Sequence, residues 1–92
     1  MRVTVRLRGP IAARIESPNY VIEIEENSTI GEVLQLLLHN HDEIRELWNS
    51  PELIDRDALI LLNEVDTALT GGLQSKIVEG DQVVILPLVH GG

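Results

Sequence analysis

The apolar residues of this chain change period partway along, and that change limits the fold more than any other feature. Over residues 2–8, Val3, Val5 and Leu7 alternate with Arg2, Thr4, Arg6 and Arg8. Over residues 20–25, Tyr20, Ile22 and Ile24 lie on one face and Glu23 and Glu25 on the other. Side chains of a strand point to opposite faces in turn, so both segments are predicted as strands with one buried side. Gly9-Pro10 ends the first and Ser17-Pro18-Asn19 precedes the second, which predicts a hairpin with a long connection. Arg6 or Arg8 is expected to face Glu23 or Glu25 across it. The pattern then turns helical. Ile30, Val33, Leu34, Leu37 and Leu38 form one stripe at helical spacing, Thr29 and Glu32 make a capping box, and Ser28 is an alternative cap. The spacing predicts a helix from about Ile30 to His39, with Asn40 as its terminator.

A shorter helical stretch around Asp42 to Asn49 would set Ile44, Leu47 and Trp48 on one side, with Ser50-Pro51 as its stop. After an irregular acidic stretch, Leu59-Ile60-Leu61-Leu62 reads as a buried strand, followed by a turn at Asn63-Glu64. Residues 65–79 are weakly patterned, with a loop at Thr70-Gly71-Gly72. Glu79-Gly80-Asp81 is a turn into a final strand from Gln82 to about Leu88. This order resembles the α+β architecture of the β-grasp (ubiquitin-like) fold. The resemblance implies a mixed sheet of four to five strands, one main helix packed across it, and the first and last strands parallel at its centre. Residues 1–88 are expected to form a single domain and residues 89–92 a flexible tail.

Composition removes several function classes. A chain of 92 residues is one domain. It has no cysteine, so disulfides, thiolate metal sites and a cysteine nucleophile are excluded. Fifteen acidic residues against seven Lys and Arg give a formal charge of −8. That charge disfavours binding to nucleic-acid phosphates or anionic membranes and favours a partner with a basic surface. Tyr20 and Trp48 are the only aromatic residues, which also argues against base stacking. No apolar run approaches the roughly 18 residues that span a bilayer, and residues 1–6 lack a signal-peptide pattern. A cytoplasmic location is the expectation.

Few side chains suggest chemistry. His39 and His41 are two apart, a spacing that points them to different sides of a helix, and a cation near a helix C-terminus explains them without a metal. Glu25-Glu26 and Asp55…Asp57 read as surface charges. Gly71-Gly72 lacks the lysine and the strand-loop-helix setting of a phosphate loop. No acid, base and nucleophile converge, so no catalytic residue is assigned and the chain is not read as an enzyme.

The C-terminal part carries a more specific signal. The apolar run Val83 to Leu88 leads into Val89-His90-Gly91-Gly92, and glycines without a Cβ can enter a slot too narrow for other residues. The close Leu88-Val89-His90-Gly91-Gly92 is similar to the His-Gly-Gly end of the ubiquitin-related modifier family. The runs Leu61-Leu62-Asn63-Glu64-Val65-Asp66 and Val78-Glu79-Gly80-Asp81-Gln82-Val83-Val84 also resemble that family's pattern. The small subunit of molybdopterin synthase and the small archaeal modifier proteins have a similar close, often with a proline in the last strand, as at Pro87.

The resemblance implies that an adenylating enzyme of the ubiquitin-activating type threads Val89, His90 and Gly91 towards its ATP and activates the Gly92 carboxylate. With a sulfur donor the product would be a thiocarboxylate, serving tRNA thiolation or molybdopterin synthesis through a sulfur-acceptor enzyme. With a lysine amine it would be an isopeptide bond to a target protein. No bound cofactor is implied, and no direct contact with nucleic acid or membrane. By analogy with the family, Val83 and Ile85 face the core, leaving Val84, Leu86 and Leu88 for partner contact. Lys76 is the only lysine and so the only side chain that could accept self-conjugation. The alternative is a non-covalent β-grasp interaction module with an incidental Gly-Gly end. One extra residue after Gly92 separates the two, because it would abolish the first activity and spare the second.

Overall fold

The computed structural model describes residues 1–14 and 18–88 of the chain. Five strands, β1 (Arg2–Leu7), β2 (Asn19–Glu23), β3 (Ala58–Leu62), β4 (Val65–Asp66) and β5 (Gln82–Pro87), form one sheet in the order β2-β1-β5-β3-β4. β1 and β5 are parallel, with Val5 level with Val83 and Leu7 with Ile85, and every other pairing is antiparallel. The main helix α1 (Ile30–Asn40) packs across one face. This is the β-grasp arrangement, with β5 as the middle strand of five.

The core follows from the two periodicities. Val3, Val5 and Leu7 of β1, Tyr20 and Ile22 of β2, Ile60 of β3, and Val83 and Ile85 of β5 are buried against Ile30, Val33, Leu34, Leu37 and Leu38 of α1. Burying a leucine-sized side chain is worth about 1.5–3 kcal/mol, so this stripe dominates what holds the helix to the sheet. At the start of α1 the Glu32 N–H donates to Thr29 Oγ1 at 3.3 Å and the Thr29 N–H donates to Glu32 Oε1 at 3.0 Å, the predicted capping box. Ser28 is instead buried, its hydroxyl donating to the Glu25 carbonyl at 2.6 Å.

Three local expectations are corrected. The second helical stretch is only α2 (Asp42–Arg45), and the chain closes to Trp48 by one further turn, the Trp48 N–H donating to the Ile44 carbonyl at 3.0 Å. Ile44 and Trp48 are buried, but Leu47 points outward and is 45% exposed. Ser50-Pro51 does more than stop that stretch. Ser50 accepts from the Leu53 N–H and Pro51 opens a third helix, α3 (Pro51–Asp57), where an irregular stretch was expected. A capping serine followed by proline at the first helical position is a start signal as well as a stop, because that position needs no N–H donor. The third correction concerns the hairpin: its register sets Arg2 opposite Glu23, so Arg2 makes the ion pair at 2.8 Å. Arg6 donates to Asn19 Oδ1 at 2.8 Å, and Arg8 pairs with Glu64 at 3.1 Å.

Residues 65–79 fold as β4 followed by short 3₁₀ turns at Thr67–Leu69 and Gly72–Gln74. Polar contacts hold them: buried Thr67 donates to the Ile60 carbonyl at 2.8 Å, and Asp66 accepts from the Ala68 N–H at 2.9 Å. Asn63 and Glu64 join β3 to β4 with φ of 50° and 71°, the backbone of a tight hairpin turn that asparagine tolerates better than glutamate does.

Candidate functional site

The site is built around β5 because that strand leads into residues 89–92. Its start is fixed by Asp81, which is only 9% exposed. Asp81 Oδ2 accepts from the Val78 N–H at 2.8 Å and Oδ1 accepts from Asn63 Nδ2 at 2.9 Å. Asn63 Oδ1 in turn accepts from the Gln82 N–H at 3.0 Å, and the Thr4 N–H donates to the Asp81 carbonyl at 3.1 Å. The two C-terminal runs that resemble the modifier family therefore meet, Asn63 of one bonded to Asp81 of the other. The sequence contained both residues, but no local pattern paired them. Gly80, at φ 85°, makes the turn into this junction and donates to the Arg2 carbonyl at 2.8 Å.

The faces of β5 are those expected for Val83 and Ile85, both in the core beneath α1. The expectation for Val84 is overturned: it lies on the helix-free face but is 0% exposed. In register it sits between Arg6 of β1 and Leu61 of β3. Arg8 follows β1 at the level of Leu86, and it is paired with Glu64, which lies beyond the far end of β3. Leu86 is half-buried, and a Cβ on Gly9 (φ 90°) would stand 3.5 Å from Leu86 Cδ1, so the loop after β1 borders this residue closely. Leu88 is 45% exposed. Around β5 the accessible apolar side chains of this face are Leu86 and Leu88 with half-buried Leu59 and Leu61, flanked by Arg6 and Arg8.

The Leu88 N–H donates to the Asp57 carbonyl of α3 at 2.9 Å, which holds the chain one residue past β5. Val89, His90, Gly91 and Gly92, the residues expected to thread and to be activated, lie outside the described residues. Lys76 is exposed at the N-terminal end of α1, bridged to Thr29 and with its Nζ donating to the Asn27 carbonyl at 2.8 Å. That end of the sheet is where β1 begins, opposite the end at which β5 leaves.

His39 is exposed in the last turn of α1, and the His41 ring lies 4.4 Å from that of Tyr20. The Tyr20 hydroxyl donates to Glu43 Oε1 at 3.4 Å. Burial, and then the Glu43 carboxylate, push the Tyr20 phenol up to about 12. Among the described residues, no three His, Asp or Glu side chains are grouped as metal ligands would be. No helix there is long and apolar enough to cross a membrane.

A family model described as the ThiS family matches residues 7–92. The chain is similar to the sulfur carrier protein CysO of Mycobacterium tuberculosis, 34% identical over 95 residues that cover 100% of both chains. Among solved structures it is similar to the crystal structure of the Amycolatopsis orientalis BexX/CysO complex, at 27% identity and a TM-score of 0.69, covering 98% of this chain and 99% of that chain. It is also similar to the crystal structure of the small archaeal modifier protein 1 of H. volcanii, at 20% identity and a TM-score of 0.76, covering 96% of this chain and 98% of that chain. At that identity the last likeness shows the fold alone.

Proposed function

The chain belongs to the ThiS family of ubiquitin-like sulfur carriers, and from that premise we propose that it carries sulfur as a thiocarboxylate on Gly92. The observation that carries the reading is the end-to-end alignment with a sulfur carrier protein, together with a family match that runs through Gly92. An adenylating enzyme binds the domain and the Gly92 carboxylate oxygen attacks the α-phosphate of ATP, releasing pyrophosphate and leaving an acyl-adenylate. A persulfide sulfur then displaces AMP to give an acyl disulfide. A thiol opens the S–S bond, leaving the thiocarboxylate and a new disulfide on the donor side. The thiocarboxylate passes its sulfur to an acceptor enzyme.

The domain contributes position. β5 is held on both sides, by β1 and by β3, and anchored again at Leu88. Leu86 and Leu88 supply apolar contact beside the tail, and the net charge of −8 favours a basic docking surface on the activating enzyme.

The test is an intact mass after incubation with a cognate activating enzyme, ATP and a sulfur donor. The expected gain is that of one oxygen replaced by sulfur, and it disappears when Gly92 is deleted or one residue is added after it. No adduct, with the enzyme competent on another substrate, would refute the carrier reading. A branched Gly-Gly remnant on target lysines without any thiocarboxylate would make protein conjugation the primary role.

A further inference from the structure

The sheet has two edges, and they differ. β4 is two residues long, the usual way an edge is blunted, whereas β2 is a five-residue strand. The direction of its free backbone groups follows from the ladder. The Leu7 N–H donates to the Pro18 carbonyl, and Met1 and Ile24 exchange both of their bonds, so Pro18, Tyr20, Ile22 and Ile24 are the positions bonded to β1. The N–H and C=O groups of Val21 and Glu23 therefore point outward, with no backbone partner among the described residues. Val21 is itself 61% exposed. Neither lysine nor proline lies within β2 to discourage pairing.

A groove of about 400 Å³ lies at the C-terminal end of this edge, where Glu23 and the connection that follows β2 face α1. Ile24 and Leu36, both partly buried, give it an apolar floor, and Gln35 with Glu23, Glu25 and Glu32 makes a polar rim. No Lys or Arg lines it. Glu23 is paired with Arg2 and Glu32 serves the α1 cap, while Glu25 has no side-chain partner among the described residues.

We propose that the free edge of β2 and the groove beside it form a second docking site, which takes an extended basic and apolar segment of a partner protein as an added strand. Backbone groups of Val21 and Glu23 would supply the pairing, and alternate side chains of the segment would enter the groove, apolar ones over Ile24 and Leu36 and cationic ones towards Glu25. Charge decides between occupants. A second copy would present Asn19–Glu23 again, which contains no cation, and would bring together two chains of net charge −8. A basic segment complements the rim instead. The site is separate from the Leu86 and Leu88 surface, so it does not depend on the sulfur-carrier reading.

The test uses the full chain, isotopically labelled, titrated with an acetylated and amidated hexapeptide alternating lysine with valine and followed by amide NMR. The expected result is shifts at Val21, Glu23 and Glu25, slowed exchange of the Val21 and Glu23 amides, and weakening by salt. Val21→Pro removes an outward donor without touching the β1 ladder and should weaken binding about tenfold, as should methylating alternate backbone nitrogens of the peptide. Should Val21→Pro not fold, Glu25→Lys serves as the second variant: it should lose the lysine peptide and gain affinity for its glutamate counterpart. Equal binding of the methylated peptide would show charge attraction alone and overturn the proposal. Shifts confined to the Leu86 and Leu88 surface, no shifts at millimolar peptide, or β2 shifts that follow protein dilution, as a second copy would give, would each overturn it too.

Discussion

Asp81→Ala should unfold the junction that sets β5. The carboxylate accepts two hydrogen bonds, from the Val78 N–H at 2.8 Å and from Asn63 Nδ2 at 2.9 Å, in a residue that is 9% exposed. Hydrogen bonds to a charged group contribute about 1.5–3 kcal/mol each, and partial solvent access to the freed donors reduces the sum to about 2–4 kcal/mol. That is a large share of the roughly 5–15 kcal/mol by which such a domain is stable. At about 4–8 °C per kcal/mol for a domain of this size, Tm should fall by about 10–30 °C. Asp81→Asn is the sharper variant. Its amide must turn an N–H₂ towards one of two donors, and Asn63 can flip to accept it only by abandoning the Gln82 N–H, which its Oδ1 accepts at 3.0 Å. A loss of about 1–2 kcal/mol is expected despite the matched shape. Thermal and urea unfolding followed by circular dichroism measure both variants, and the Asn63→Ala, Asp81→Ala cycle should be non-additive by more than about 0.5 kcal/mol. A loss below about 0.5 kcal/mol for Asp81→Ala, or an additive cycle, would refute the argument that this pair joins the two segments.

Three further outcomes are expected. Tyr20 is the sole tyrosine, so phenolate absorbance titrates it alone, and its midpoint in the folded chain should lie near 12. Its unfolded value is about 10, so the unfolded state loses the proton first: this contribution to stability is intact below pH ~10 and is lost as the pH rises towards ~12. Glu43→Gln should lower the midpoint only partway, because burial is the larger cause; a native spectrum with a midpoint near 10 would contradict this. Trp48→Ala removes a side chain that is 6% exposed and should cost about 3–5 kcal/mol in urea unfolding, where a cost under about 1 kcal/mol would show that Trp48 is not part of the core. Leu88→Asp changes a residue that is 45% exposed, so stability should move by less than about 0.5 kcal/mol while calorimetric affinity for the activating enzyme drops; unchanged affinity would remove Leu88 from the docking surface.

What the sequence made legible was whatever a single segment encodes. The alternation of Val3, Val5 and Leu7, the stripe from Ile30 to Leu38 and the Thr29–Glu32 box each state their own geometry, and each appears as expected. Ser50-Pro51 is ambiguous in the sequence because a stop and a start carry the same residues, and only the helix that follows resolves them. The partners of Arg2, Arg6 and Arg8 depend on register, which a short turn would have fixed but a long connection between β1 and β2 does not. Val84 failed for a related reason. The family analogy, not alternation alone, placed it opposite the core, and its burial is a property of the assembled sheet, in which β1 and β3, far from it in sequence, lie on either side.

The surface around the tail therefore has to be argued from distance as well as residue type. The last described anchor is the Leu88 N–H on the Asp57 carbonyl, leaving Val89 to Gly92 beyond it. Four residues reach at most about 14 Å at full extension. A carboxylate on so short a lead cannot arrive at a partner's nucleotide unless the body of the domain is pressed against the mouth of that site. The contact must then involve what lies beside Leu88, namely Leu86, Leu59 and the arginines flanking them. The sulfur-carrier proposal consequently requires the helix-free face to be an interface near its β5 end, and it makes no such demand of Lys76 or the β2 edge, which lie elsewhere on the sheet.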